Sequence, residues 1–140
     1  MRIKSEIYRH LVLDIPLPPP EFGGLLGGNG EIITAYALDD TRNTSVHGYY
    51  SPNTMKLNTI ISDWADKKIE FYGLFHTHFP YGYSLSQEDK QYINSIMNAM
   101  PTGIKYLYFP IIVPGDGMAA FKAVRKTKVV CIEPDTITLI

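Results

Sequence analysis

IEFYGLFHTHFPYGYSLSQEDKQYINSIMNAM, residues 69–100, reads as a strand, a polar loop and a helix in one run. The aromatic stretch 69–76 has the content of a strand. Ser86 is placed as the N-cap of a helix that runs to about Met100, and Pro101 and Gly103 stop it. Tyr92, Ile93, Ile96, Met97 and Met100 recur at helical spacing and give that helix one buried stripe. His76 and His78 fall at the strand tip, and Asp89 falls in the first helical turn.

Upstream, Ser5 reads as the cap of a short first helix marked by Ile7, Leu11 and Asp14. Prolines 18–20 predict an extended approach, because proline fixes φ and restricts its predecessor. EFGGLLGG, 21–28, and EIITAYAL, 31–38, flank Asn29-Gly30, a hairpin signal. EIITAYAL is apolar on both faces and predicts an internal strand. Residues 39–50 read as an irregular excursion with a short strand at its end. Ser51-Pro52 predicts a helix start, and Leu57, Ile60, Ile61 and Trp64 form its stripe, with residues 66–68 ending it. IKYLYFPIIV, MAAFKAVR and VVCI read as strands, with PGDG, 114–117, as a hairpin turn. The fold class is α/β: a mixed, largely antiparallel sheet flanked by two or three helices, in one domain over residues 1–140.

Composition narrows the function. The chain carries 13 basic and 14 acidic residues, so it lacks the positive excess that tracks a phosphate backbone, and nucleic acid is not an expected partner. One cysteine, Cys131, excludes an internal disulfide and any site built from several thiolates. No window approaches the ~18–20 apolar residues of a membrane span. The first fifteen residues lack the uncharged apolar run of a signal peptide. A cytoplasmic protein with no membrane partner is the expectation, with self-association as a homodimer left open.

The chemistry lies in the opening stretch. Residues two apart on a strand point the same way, with Cα atoms ~6.5–7 Å apart. His76 and His78 can therefore converge on one ion. A His-x-His pair alone is more often two solvent-facing histidines. Asp89 changes that balance, because it projects near the middle of the buried stripe, where a carboxylate needs a partner. Ser86 offers one, through a capping arrangement, but that leaves the two histidines unexplained. Two imidazoles and a carboxylate suit zinc with a fourth position left for water, and zinc can lower the pKa of that water to ~7. Such a site needs a proton carrier. Glu88 lies on the wrong side of its helix; Glu70 shares the parity of the histidines but sits near the far end of the strand. Spacing does not choose between Glu21 and Glu31.

Glu21 before Gly-Gly-Leu-Leu-Gly, then His76-Thr-His78, then Ser86 and Asp89 ten residues past the pair, resembles the JAMM (MPN+, JAB-domain) zinc metalloproteases. The resemblance implies an MPN/JAB fold with a cytidine-deaminase-like layout. It implies that His76, His78 and Asp89 hold zinc, that Glu21 rather than Glu31 is the acid/base, and that Ser86 stabilises the oxyanion. It further implies isopeptidase or deubiquitinase-like cleavage of an amide at the tail of a ubiquitin-like or sulfur-carrier β-grasp protein. Such an extended tail is expected to add to a sheet edge beside the metal. Phe79 and Leu85 stand where many members have proline, which bears on the shape of the loop. Tyr81 and Tyr83 are candidates to contact a peptide, or to pack on the domain. A non-catalytic MPN-type interaction module is the alternative, although such members have usually lost ligands and none is lost here. A zinc deaminase is excluded, because it requires H-x-E and paired cysteines; an HExxH helix is absent.

Overall fold

A computed structural model describes residues 1–39, 50–78 and 82–140. Among the described residues nine strands form one mixed sheet, and three helices pack on it. The strands are β1 (Arg2–Ile3), β2 (Gly23–Asn29), β3 (Ile32–Asp39), β4 (Glu70–Thr77), β5 (Tyr106–Tyr108), β6 (Ile111–Val113), β7 (Gly117–Lys126), β8 (Val129–Asp135) and β9 (Thr138–Leu139). The helices are α1 (Ser5–Leu13), α2 (Thr54–Asp66) and α3 (Gln87–Ala99).

The longer pairings, β2 with β3 and β4 and β7 with β8, are antiparallel. β4 runs parallel to β5 and β6, which follow one another along its flank. IKYLYFPIIV thus forms two strands, not one, with Phe109 and Pro110 between them. β4 is internal, with β2 on one side and β5 and β6 on the other. The edges are β8 and β9. Among the described residues no sheet edge lies beside the histidines, so addition of a substrate strand there does not follow from this sheet.

The sheet separates two cores. On one face α1 lays Leu11 against Ile3, Leu26, Ile33 and Phe75. On the other, Leu57 and Trp64 of α2 and Ile93 and Met97 of α3 cover Leu25, Leu74, Leu107 and Phe109.

Local chemistry moves three predicted starts. Lys4, not Ser5, caps α1, and the Ser5 hydroxyl turns to the Ile140 carbonyl at 3.3 Å. Asn53, not Ser51, caps α2, because its side chain accepts from the Lys56 N–H at 3.1 Å. The hairpin turn is Gly30-Glu31, one residue later than expected. Asn29 still pairs with Ile32, and both turn residues have φ near +60°, as a type I′ turn requires. Residues 18–20 form bends with two cis peptide bonds, not an extended run. The strand expected near residue 50 falls mostly outside the described residues. PGDG forms its turn, and β3 lies inside the sheet between β2 and β1.

A bulge in β4 decides which side chains reach the helical face. Leu26 pairs with Gly73 but Gly27 pairs with Phe71, so Tyr72 is the extra residue. Phe71 and Leu74 then share the α2–α3 face, while Tyr72 and Phe75 share the α1 face. Parity counted from His76 therefore fails at Glu70. Gly73 permits the bulge, since a Cβ there would meet the Tyr108 carbonyl oxygen at 1.9 Å. Gly73→Ala is expected to lower unfolding free energy by roughly 2–4 kcal/mol. Urea denaturation of the purified variant checks this, and loss of metal affinity should accompany it.

Candidate metal centre

The tip of β4 is held from both sides. The Thr77 N–H donates to the Phe22 carbonyl at 2.8 Å, and the His78 N–H donates to the Ile112 carbonyl at 2.9 Å. The Thr77 hydroxyl, fully buried, accepts from the Phe22 N–H at 2.8 Å. These bonds fix the strand through its last residues and bring the segment before β2 alongside it. Thr77 is not legible in the sequence as a site residue, since a threonine between two histidines carries no motif signal of its own.

α3 starts beside this tip. Ser86 is its N-cap, and the capping box is complete. Ser86 Oγ accepts from the Asp89 N–H at 3.0 Å, and Asp89 Oδ2 accepts from the Ser86 N–H at 2.9 Å. The cap uses a lone pair of the hydroxyl. Its proton remains free to donate, so capping and oxyanion stabilisation do not compete for it.

Three donor groups converge. His76 Nε2 lies 2.8 Å from His78 Nε2 and 3.1 Å from Asp89 Oδ1, and His78 Nε2 lies 3.0 Å from Asp89 Oδ2. One ligand atom from each falls within 4.8 Å of the others. Their side chains are 4%, 13% and 15% exposed, so the site is nearly closed yet reachable by water.

The donor set fits a cation. His78 Nδ1 lies 3.0 Å from the Gly82 carbonyl, which can only accept. Nδ1 therefore carries hydrogen, and the neutral ring presents a bare lone pair at Nε2. That lone pair faces the second imidazole nitrogen and a carboxylate oxygen. Either a proton or a metal ion must stand among them. Tetrahedral ligation at ~2.0–2.1 Å separates ligand atoms by about 3.3 Å, a few tenths of an ångström beyond the spacing here.

The electrostatics agree. Burial alone would lower the pKa of His78, but the hydrogen bond and charge of Asp89, then the charge of Glu21 and the Gly82 carbonyl, raise it above the ordinary value. Burial alone would raise that of Asp89, but bonds from His76 and His78 and the Ser86 N–H hold its carboxyl far below the carboxylate range.

Glu21 stands one residue before Phe22, on the side of the His78 end of β4, and its charge is felt at His78. Its Oε2 accepts from the Tyr50 N–H at 3.2 Å. Glu31 is at the opposite end of β2, where its carboxylate lies 3.5 Å from the Tyr106 hydroxyl. Glu70 interacts with Tyr72 there. Glu88 is exposed. Of Glu21, Glu31, Glu70 and Glu88, Glu21 is the one at the His78 end of β4 whose charge acts on His78. Tyr83 bonds Asp116 in the β6–β7 turn through its hydroxyl, so it packs on the domain. Phe79 and Tyr81 lie outside the described residues. A cleft of about 500 Å³ between α2 and α3 shares Tyr92 with the neighbourhood of His76. Its lining, which includes Leu25, Leu57, Leu74 and Ile96, has no ionisable group besides the Tyr92 phenol.

No family model matches the sequence, and no curated protein matches it. Solved structures do resemble it. A solution structure of a protein from Desulfitobacterium hafniense has a TM-score of 0.70 at 18% identity, covering 99% of this chain and 92% of that one. One from Salinibacter ruber has a TM-score of 0.58 at 12% identity, covering 100% and 92% respectively. Likeness at these identities is one of fold. Among the described residues no helix is long and apolar enough to cross a membrane.

His76→Ala and Asp89→Ala are each expected to lose most bound zinc by elemental analysis. Ser86→Ala should keep it while losing about 1 kcal/mol of helix-cap stability. In metal-stripped protein a proton on His78 takes the place of the ion. Because its folded pKa is raised, that stabilisation is full below the unfolded value of ~6.5 and lost as pH rises through the folded value. Melting temperature of the stripped protein should therefore fall from pH 6 to pH 8, whereas that of zinc-loaded protein should not.

Proposed function

We propose that the protein is a zinc-dependent amide hydrolase of the JAMM type. The observation that carries this reading is the convergence of His76, His78 and Asp89 with Glu21 as the adjoining carboxylate. Zinc held by the three would supply a Lewis acid and a water acidified to ~pKa 7. Glu21 takes the proton of the attacking water and returns it to the leaving amine, which fits its place beside His78. The Ser86 hydroxyl donates a hydrogen bond to the oxyanion that forms on the attacked carbonyl. The Gly82 carbonyl keeps His78 in the tautomer that ligates.

The MPN/JAB fold belongs to this same proposal. So does the substrate, an amide at the extended C-terminal tail of a ubiquitin-like or sulfur-carrier β-grasp protein. A non-catalytic interaction module would have no need for a complete ligand set with a carboxylate beside it. Its signature would be purified protein without stoichiometric zinc.

The test is incubation of zinc-loaded protein with β-grasp fusions whose tails end in Gly-Gly, read by mass. Cleavage after the tail is expected in the wild type. Glu21→Gln should lower the rate by at least ~10²-fold with zinc retained. An active Glu21→Gln protein, or one that loses its metal, would overturn the assignment.

A further inference from the structure

The motif names Glu21 but does not explain how it is held. Glu21 follows the proline run and belongs to no strand or helix. A free glutamate side chain has several rotamers, and a proton carrier must stay within hydrogen-bond reach of the proton it takes. Among the described residues the Tyr50 N–H donates to its carboxylate at 3.2 Å.

Tyr50 is itself fixed at two further points. Its ring packs against Gly23, where an added Cβ would sit 2.3 Å from a ring carbon. Its hydroxyl donates to Asp39 Oδ2 at 3.0 Å. Asp39 ends β3, pairs with Gly23 of β2, and is only 2% exposed. The same Oδ2 accepts from the Asn53 N–H at 2.8 Å, and Asn53 caps α2. A buried carboxylate is costly unless donors surround it. Asp39 thus ties Tyr50, the start of α2 and the end of β3 into one unit, with Glu21 at its open end.

We propose that Asp39 and Tyr50 are positioning residues, which lock the Tyr50 N–H where it holds the Glu21 carboxylate beside the His76–His78–Asp89 centre. The inference rests on the reading of Glu21 as the proton carrier. Neither side chain reaches the reacting atoms; both act through Glu21. Phenylalanine at position 50 keeps the ring on Gly23 but removes a donor from Asp39. Asparagine at position 39 keeps the shape of the carboxylate but removes its charge.

The experiment compares zinc-loaded wild type, Tyr50→Phe and Asp39→Asn. In crystal structures the wild-type Glu21 carboxylate should rest on the Tyr50 N–H, and in both variants it should turn away or split between rotamers, with zinc content unchanged. On a cleavable β-grasp fusion kcat should fall tenfold to a hundredfold, on the scale of roughly ångström misplacement, with KM changed less than about twofold. In the Glu21→Gln background, Tyr50→Phe should slow the residual reaction no further. An unmoved Glu21 in both variants, or a further loss on top of Glu21→Gln, would overturn the proposal. If the wild type cleaves no amide, the hydrolase reading falls and the position of Glu21 in the three structures alone decides the clamp. Should Tyr50→Phe fail to fold, Asp39→Asn carries the same structural and kinetic readings.

Discussion

The constraint on which the centre depends is the double use of one carboxylate. Asp89 satisfies the first turn of α3 through the Ser86 N–H and at the same time faces two imidazoles. Either task alone is ordinary: a helix N-terminus favours an acid, and a buried histidine favours an acceptor. Together they fix where α3 begins relative to β4. Moving the helix by one residue would take the carboxylate away from the histidines or leave the first turn without its cap. The same contact places the Ser86 hydroxyl beside the centre with its proton unspent.

The sheet supplies rigidity where the site needs it. β4 is internal, and its tip is bonded to Phe22 on one side and Ile112 on the other. Ligands on such a strand keep their directions better than ligands on a loop. The Gly73 bulge adds a second control, since it rotates the strand so that His76 and His78 share the face of α3 while Glu70 does not. One glycine pressed against the Tyr108 carbonyl therefore turns Glu70 away from the face of His76 at the level of the backbone.

The likeness to the two bacterial solution structures concerns architecture, and architecture alone does not choose a reaction. The chemistry is argued from the donor atoms. The neutral His78 imidazole, whose far nitrogen is committed to a carbonyl, must present a lone pair, and its meeting within about 3 Å with the His76 Nε2 and the Asp89 carboxylate calls for a cation or a proton. That argument holds whatever the substrate proves to be.

The local devices were legible in the sequence because they are encoded over three or four residues. The Ser86–Asp89 box, the His-x-His pair on one strand face, the stripes of α2 and α3 and the PGDG turn all follow from strand and helix periods. The starts of α1 and α2 differ from the expected ones by one and two residues, since several polar side chains could serve as cap and only packing selects among them. What the tertiary structure decided involves residues far apart in the chain. Glu21 comes to the His78 end of β4 because Phe22 pairs with Thr77, fifty-five positions on. Tyr50 and Asp39 meet through a sheet and a helix start that no periodicity links. The parity of Glu70 failed at a bulge set by contact with β5, and β4 became internal through strands that follow it. Sequence period fixes which way a side chain points from its own element; only the packing of elements fixes what it meets.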